Sequence, residues 1–162
     1  MTRRGVRGEL LHQKVCNAGM SAAPQDEIER FMAQAFPNSR FRIVDACPMS
    51  ATMRRPVTQD DTRPGGTVSG PTLMGLADAA LYVAIHATVG ITPHAVTSNL
   101  NINFLRRPPA DRDLLAVCKL LRVGRTLAVG EVSIFSEGED EPVAHVVGSY
   151  ALPRPGTATG KG

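Results

Sequence analysis

Between Pro64 and Leu105 the chain carries no Lys, Arg or Glu and a single Asp, Asp78. Its neighbours are apolar on both sides, from Leu73, Met74, Leu76 and Ala77 to Ala80, Leu81, Val83, Ala84 and Ile85. Leaving a carboxylate ionised and unpaired in such surroundings costs roughly several kcal/mol, because the charge loses its water. Four readings account for it. The group faces solvent through a gap, pairs with a distant arginine, accepts N–H bonds from a loop, or serves as a desolvated base or nucleophile. The residue by itself leaves all four open.

Just upstream runs Arg63-Pro-Gly-Gly-Thr-Val-Ser-Gly-Pro71, a glycine-rich approach to the same segment. N–H groups at a helix start have no intrahelical acceptor and point outward, so they can stabilise an oxyanion. A tight loop with a helix cap is the plainer reading. Gly65, Gly70 and Thr72 have the spacing of a phosphate-binding P-loop, but Pro71 stands where that motif needs lysine. Ser69 lacks the flanking glycines of a hydrolase nucleophile elbow. Gly70 and Asp78 are roughly 12 Å apart along a helix rising ~1.5 Å per residue. One carbonyl cannot touch both in one chain. Two chains packed with these helices antiparallel about a two-fold axis would bring Gly70 of each to Asp78 of the other.

The elements that must position these groups follow from periodicity. Pro24 to Phe36 reads as a short amphipathic helix, with Ile28, Phe31, Met32, Ala35 and Phe36 on one face and Pro37 ending it. Phe41 to Val57 reads as one or two strands broken near Pro48, and Asp60 to Gly70 as a loop. Pro71 to about Thr88 is a helix apolar nearly all round, which must be buried on most sides. Four strands follow, Val96–Leu105, Leu114–Val123, Thr126–Ser136 and Pro142–Leu152, expected as a meander. One helix of that kind needs a sheet curled over it, so the expected class is α+β, an antiparallel sheet wrapped around one long central helix, the hot-dog fold.

Composition narrows the functions. A chain of 162 residues is one domain's worth, and 43% hydrophobic with 20% charged is ordinarily globular. Residues 1–22 read as a flexible extension, 23–153 as the domain and 154–162 as a flexible tail. Aromatics at 4%, no tryptophan and a net charge of only +3 give no base-stacking surface, so no nucleic-acid partner is expected. No apolar run of membrane length and no secretory segment is evident, so no membrane partner is expected either. Cys16, Cys47 and Cys118 are few, odd in number and far apart, which argues against a disulfide framework and favours a cytoplasmic location. No Cys–His cluster has metal-site spacing. His86 and His94 read as core and loop residues. Arg106, Arg107, Arg122 and Arg125 are candidates for phosphate contact or for a solvated surface.

Gly66-Thr-Val-Ser-Gly-Pro-Thr-Leu-Met-Gly-Leu-Ala-Asp78-Ala-Ala resembles the signature of the phenylacetate-pathway (PaaI-type) thioesterases, within the wider group that includes 4-hydroxybenzoyl-CoA thioesterases. Val96-Thr-Ser-Asn-Leu-Asn-Ile-Asn-Phe-Leu105 resembles their next strand and Gly124-Arg-Thr-Leu-Ala128 their next hairpin. The likeness runs from about Thr58 to Leu152, in order. It implies that Asp78 is the catalytic carboxylate, that the Gly70 N–H polarises the thioester carbonyl, and that Thr97 positions water or carboxylate. Two positions depart from the signature: Ser69 replaces a histidine and Pro71 a second glycine. Arg63 stands where a polar residue such as Asn often binds the thioester.

The expected function is therefore hydrolysis of a small or medium, possibly aromatic, acyl-coenzyme A, with no cofactor beyond the coenzyme A of the substrate. Arg63, Ser69, Leu73, Met74, Tyr82, Arg106 and Arg125 are the expected substrate contacts, the acyl group lying near Leu73, Met74 and Tyr82. The expected partners are acyl-coenzyme A and a second copy of the chain, as a dimer or tetramer. A hot-dog dehydratase or hydratase, and a non-catalytic acyl-coenzyme A binding module, are the alternatives.

Overall fold

The computed structural model describes residues 20–154. Helix α1 (Gln25–Ala35) precedes strands β1 (Arg42–Cys47) and β2 (Ser50–Arg55). A 3-10 turn (Gln59–Asp61) and a two-residue hairpin, β3 (Thr62–Arg63) with β4 (Thr67–Val68), lead into α2 (Gly70–Val89). Strands β5 (Val96–Phe104), β6 (Leu114–Val123), β7 (Leu127–Ser136) and β8 (Ala144–Ala151) complete the chain. The segment expected as a plain loop thus contains structure of its own.

Six strands form one antiparallel sheet in the order β1-β2-β6-β7-β8-β5, curled around α2. This is the expected hot-dog arrangement, but the last four strands are not a simple meander. Strand β2 takes the edge of β6, so β5 pairs instead with β8 at the far end of the sheet. The crossover is what carries β5 past the middle of α2.

Helix α2 buries twelve of its twenty residues, among them Leu73, Leu76, Leu81, Val83 and Ile85. Its mean hydropathy and length would suffice to cross a membrane, contrary to the expectation that no segment would. Here the same apolarity is met by the sheet on its flanks. Inward positions alternate along the strands: Leu114, Ala116, Cys118 and Leu120 on β6, Val132 and Ile134 on β7, Ala144 and Val146 on β8. Two inward positions in register, Gly130 and Gly148, have no side chain, and Leu81 fills the space. A Cβ on Gly148 would lie 2.5 Å from Leu81 Cδ1, and one on Gly130 2.7 Å from Leu81 Cδ2.

The ends of α2 are pinned. The break near Pro48 is a tight turn in which Met49 adopts a left-handed φ of 68°; its N–H donates to Thr88 Oγ1 at 2.8 Å and its carbonyl accepts from Leu120 at 2.8 Å. The Ser21 hydroxyl and the Ala22 N–H both donate to the Ala87 carbonyl, at 2.9 and 3.0 Å. Most of the expected extension, and nearly all of the expected tail, fall outside the described residues. Cys118 is a free, buried thiol, whereas Cys47 takes part in a disulfide.

Candidate active site

The glycine-rich segment is anchored by Asp61. Its carboxylate is buried (2% exposed) between Arg40, at 3.1 Å, and Arg55. It also accepts from the Thr58 N–H at 2.9 Å. Burial alone would raise its pKa, but the hydrogen bonds from Arg55 and Thr58 and the charges of Arg55 and Arg40 hold it below the usual range. The Asp61 carbonyl accepts the Ser69 N–H at 2.8 Å, and the Pro108 carbonyl accepts the Val68 N–H at 3.1 Å. The next N–H, that of Gly70, has no acceptor among the described residues. Pro71 supplies none, and the Thr72 N–H also has no acceptor among the described residues, so the helix opens on two free donors. Ser69 does not cap the helix; its Oγ lies 2.9 Å from Thr72 Oγ1. The Phe104 ring covers Gly70, its Cζ 3.1 Å from where a Cβ would stand.

Two turns further along α2, Asp78 is half-buried. Among the described residues neither a distant arginine nor loop N–H groups satisfy it. Thr97 Oγ1 donates to Asp78 Oδ1 at 2.7 Å, and the Tyr150 hydroxyl donates to the same oxygen at 2.7 Å. Oδ2 has no partner among the described residues. Asp78 forms part of the wall of an open cavity of about 840 Å³ between the C-terminal end of α1 and the middle of α2. Met32, Phe36, Tyr82 and Pro93 give that cavity an apolar and aromatic lining, with Thr97 and Tyr150 beside the carboxylate. Tyr82 is held by its hydroxyl, which donates to the Pro93 carbonyl at 3.2 Å, and by stacking on Tyr150 with ring centroids 5.9 Å apart. Burial raises the Tyr82 phenol; burial and then the adjacent Asp78 push that of Tyr150 far above its ordinary range, so both remain neutral donors.

Of the residues expected from sequence, Asp78, Thr97 and Tyr82 converge here. Gly70 lies on the same helix but two turns away, as its spacing requires. Leu73 points into the core at 1% exposure, and neither it nor Met74 lines this cavity. Arg63, Arg106 and Arg125 are exposed, with Arg106 paired to Glu141 at 2.7 Å. Sequence reasoning missed Tyr150, Phe36, Met32 and Phe104. Tyr150 continues the inward alternation of Val146 and Gly148, and a buried tyrosine needs an acceptor for its hydroxyl. Its acceptor became visible only with the register that sets Thr97 opposite Tyr150.

A single helix wrapped in this sheet order, with one carboxylate facing a cavity, defines a hot-dog protein with an enzyme-like site. A sequence profile of the thioesterase superfamily matches residues 65–143. The chain is 30% identical over 109 residues to the "Putative esterase" of Deinococcus radiodurans, covering 67% of this chain and 72% of that protein. The crystal structure of a "putative thioesterase" from Silicibacter sp. TM1040 is 40% identical with a TM-score of 0.76, covering 83% of this chain and 96% of that one. The E. coli PaaI protein from the phenylacetic acid degradation operon shares the fold at 24% identity, with a TM-score of 0.64 over 76% of this chain and 84% of that one. The chain belongs to the thioesterase superfamily.

Proposed function

We propose that the protein hydrolyses acyl-coenzyme A thioesters to the carboxylic acid and free coenzyme A, using Asp78 as the reactive carboxylate. The observation that carries the reading is the state of that group. Oδ1 is occupied by two hydroxyls, while Oδ2 is left without a partner among the described residues in a carboxylate that borders an apolar cavity. In the base route, Oδ2 takes a proton from water as the water oxygen bonds to the thioester carbon. The tetrahedral intermediate then expels the thiolate by breaking C–S, and the proton passes from Asp78 to sulfur. In the nucleophilic route, Oδ2 itself bonds to the carbonyl carbon and the thiolate leaves; water then cleaves the mixed anhydride. Single-turnover reaction in heavy-oxygen water separates the base route from a nucleophilic route in which water attacks the aspartyl carbon of the anhydride. Only that attack leaves the Asp78 oxygen in the product acid and puts water oxygen into Asp78.

The oxyanion donor in this reading is the Gly70 N–H of a second copy of the chain. Strand β5 ends the sheet with an unpaired edge, and Val96 and Phe104 on it are 58% and 55% exposed. Such an edge invites pairing. The acyl group occupies the cavity beside Phe36 and Tyr82, whose shape and aromatic lining suit a small or medium acyl group, aromatic ones included. Arg125 and Arg106 are the candidates for the coenzyme A phosphates. No cofactor enters this chemistry, and a cytoplasmic supply of acyl-coenzyme A fits it.

Thiol release from a panel of aliphatic and aromatic acyl-coenzyme A substrates tests the proposal. Asp78→Asn is expected to lower kcat by about 10²–10⁴. A parent that releases no thiol from any of them sinks the hydrolase reading in favour of a binding module. A fully active monomer in light scattering sinks the shared site.

A further inference from the structure

We propose that Tyr150 is a positioning residue of this site: with Thr97 it clamps Oδ1 of Asp78 and so fixes which oxygen meets the substrate. The inference deepens the reading of Asp78 as the reactive carboxylate and rests on it. A carboxylate on a half-buried helix can rotate about its last bond and present either oxygen. Here the rotation is set from the sheet. Thr97 on β5 and Tyr150 on β8 are directly paired in register, and both hydroxyls reach the same oxygen at 2.7 Å.

The clamp is stiff on the Tyr150 side. Its ring is 3% exposed and stacks on Tyr82 at an interplanar angle of 25°. Its hydroxyl also lies 3.1 Å from the Asp78 carbonyl, which ties side chain and backbone of one residue to one donor. A buried phenol beside a carboxylate stays protonated, so Tyr150 donates throughout the working pH range and takes no proton itself. Donation to an ionised acceptor is stronger than donation to a neutral one, so the two hydroxyls hold the carboxylate's orientation firmly.

Kinetics of Tyr150→Phe test this. The variant keeps the ring and loses only the hydroxyl. Expected are a kcat lower by about 10–100-fold and a KM for acyl-coenzyme A within about twofold of the parent. Adding Tyr150→Phe to Asp78→Asn is expected to cost nothing further, because the clamp has no function without its carboxylate. If Tyr150→Phe fails to fold, Thr97→Val stands in and is expected to lower kcat by a similar factor with KM little changed. A Tyr150→Phe variant that is less thermally stable but has parental kcat overturns the assignment, since Tyr150 would then be packing alone. That result leaves the thioesterase reading intact. A parent inactive on every thioester removes both.

Discussion

His86 lies one turn beyond Tyr82 on α2 and is wholly buried, at 0% exposure. Its Nδ1 accepts the Thr92 N–H at 3.1 Å, which places the proton of the neutral ring on Nε2. Nε2 has no hydrogen-bond partner among the described residues. Its ring is packed between Tyr82, 4.1 Å away between centroids, and Phe31 at 5.0 Å. Protonation would put a charge in that apolar cluster and remove the acceptor for Thr92. Burial accordingly lowers the pKa from 6.5 to about 4.

The folded pKa lies below the unfolded one, so the unfolded chain binds the extra proton between the two values. Stability is therefore full above pH ~6.5 and falls as the pH drops toward ~4, where the loss levels off. A separation of about 2.5 units at ~1.4 kcal/mol per unit gives about 3 kcal/mol. The acid loss from Asp61 comes lower. Its folded pKa is depressed, so the stability it contributes is complete above ~3.8 and lost only as the pH falls through the folded value. Urea unfolding of the parent and of His86→Asn, whose amide oxygen can take the place of Nδ1, isolates the effect. The difference in unfolding free energy between the two is expected to shrink by about 3 kcal/mol from pH 7.5 to pH 4. Parallel pH curves for the two proteins would refute the argument, because they would show His86 contributing no proton linkage.

Two further substitutions test the packing around the site. Gly148→Ala sets a methyl 2.5 Å from Leu81 Cδ1 and 2.9 Å from Leu100 Cδ1, and is expected to cost about 1–3 kcal/mol in urea unfolding. Combined with Leu81→Val it is expected to cost less than the sum of the two changes, since the second makes room for the first. Gly70→Ala needs Phe104 to yield only a few tenths of an ångström, and that ring is 55% exposed, so the melting temperature is expected to move little. Thiol-release kcat is nevertheless expected to fall about tenfold, because the displaced ring sits beside the proposed oxyanion donor. An unchanged kcat would place that donor elsewhere.

Much of the architecture was legible because its signals are local. The apolar run around Leu76, Leu81 and Ile85 demanded a surrounding sheet, and alternation marked β6, β7 and β8 to within a residue or two. The place of β5 was not legible, since strand order depends on which edge β2 occupies. Asp78 stood out as the one charge in its region and Thr97 followed from the family resemblance, but Tyr150 did not, because it lies 53 residues from Thr97 in sequence and meets it only through pairing. The lining of the cavity was misjudged for the opposite reason. A helix apolar on every side gives no sign of which face is core, so Leu73 could not be told from Tyr82. Met32 and Phe36 come from a helix whose angle to α2 no periodicity encodes.

Leu81 stands one turn after Asp78 on α2, and the hollow it fills is made by Gly130 and Gly148, the latter two residues before Tyr150 on β8. A knob and its socket therefore index the helix against the sheet one turn from the carboxylate. Sliding α2 along its axis or turning it about that axis would drive Leu81 into backbone. The same restraint fixes how far Asp78 stands from the hydroxyls that hold it. The alignment of the reactive group is thus set by the absence of two side chains, and a single carbon added at either glycine, neither of which lines the cavity, would disturb it.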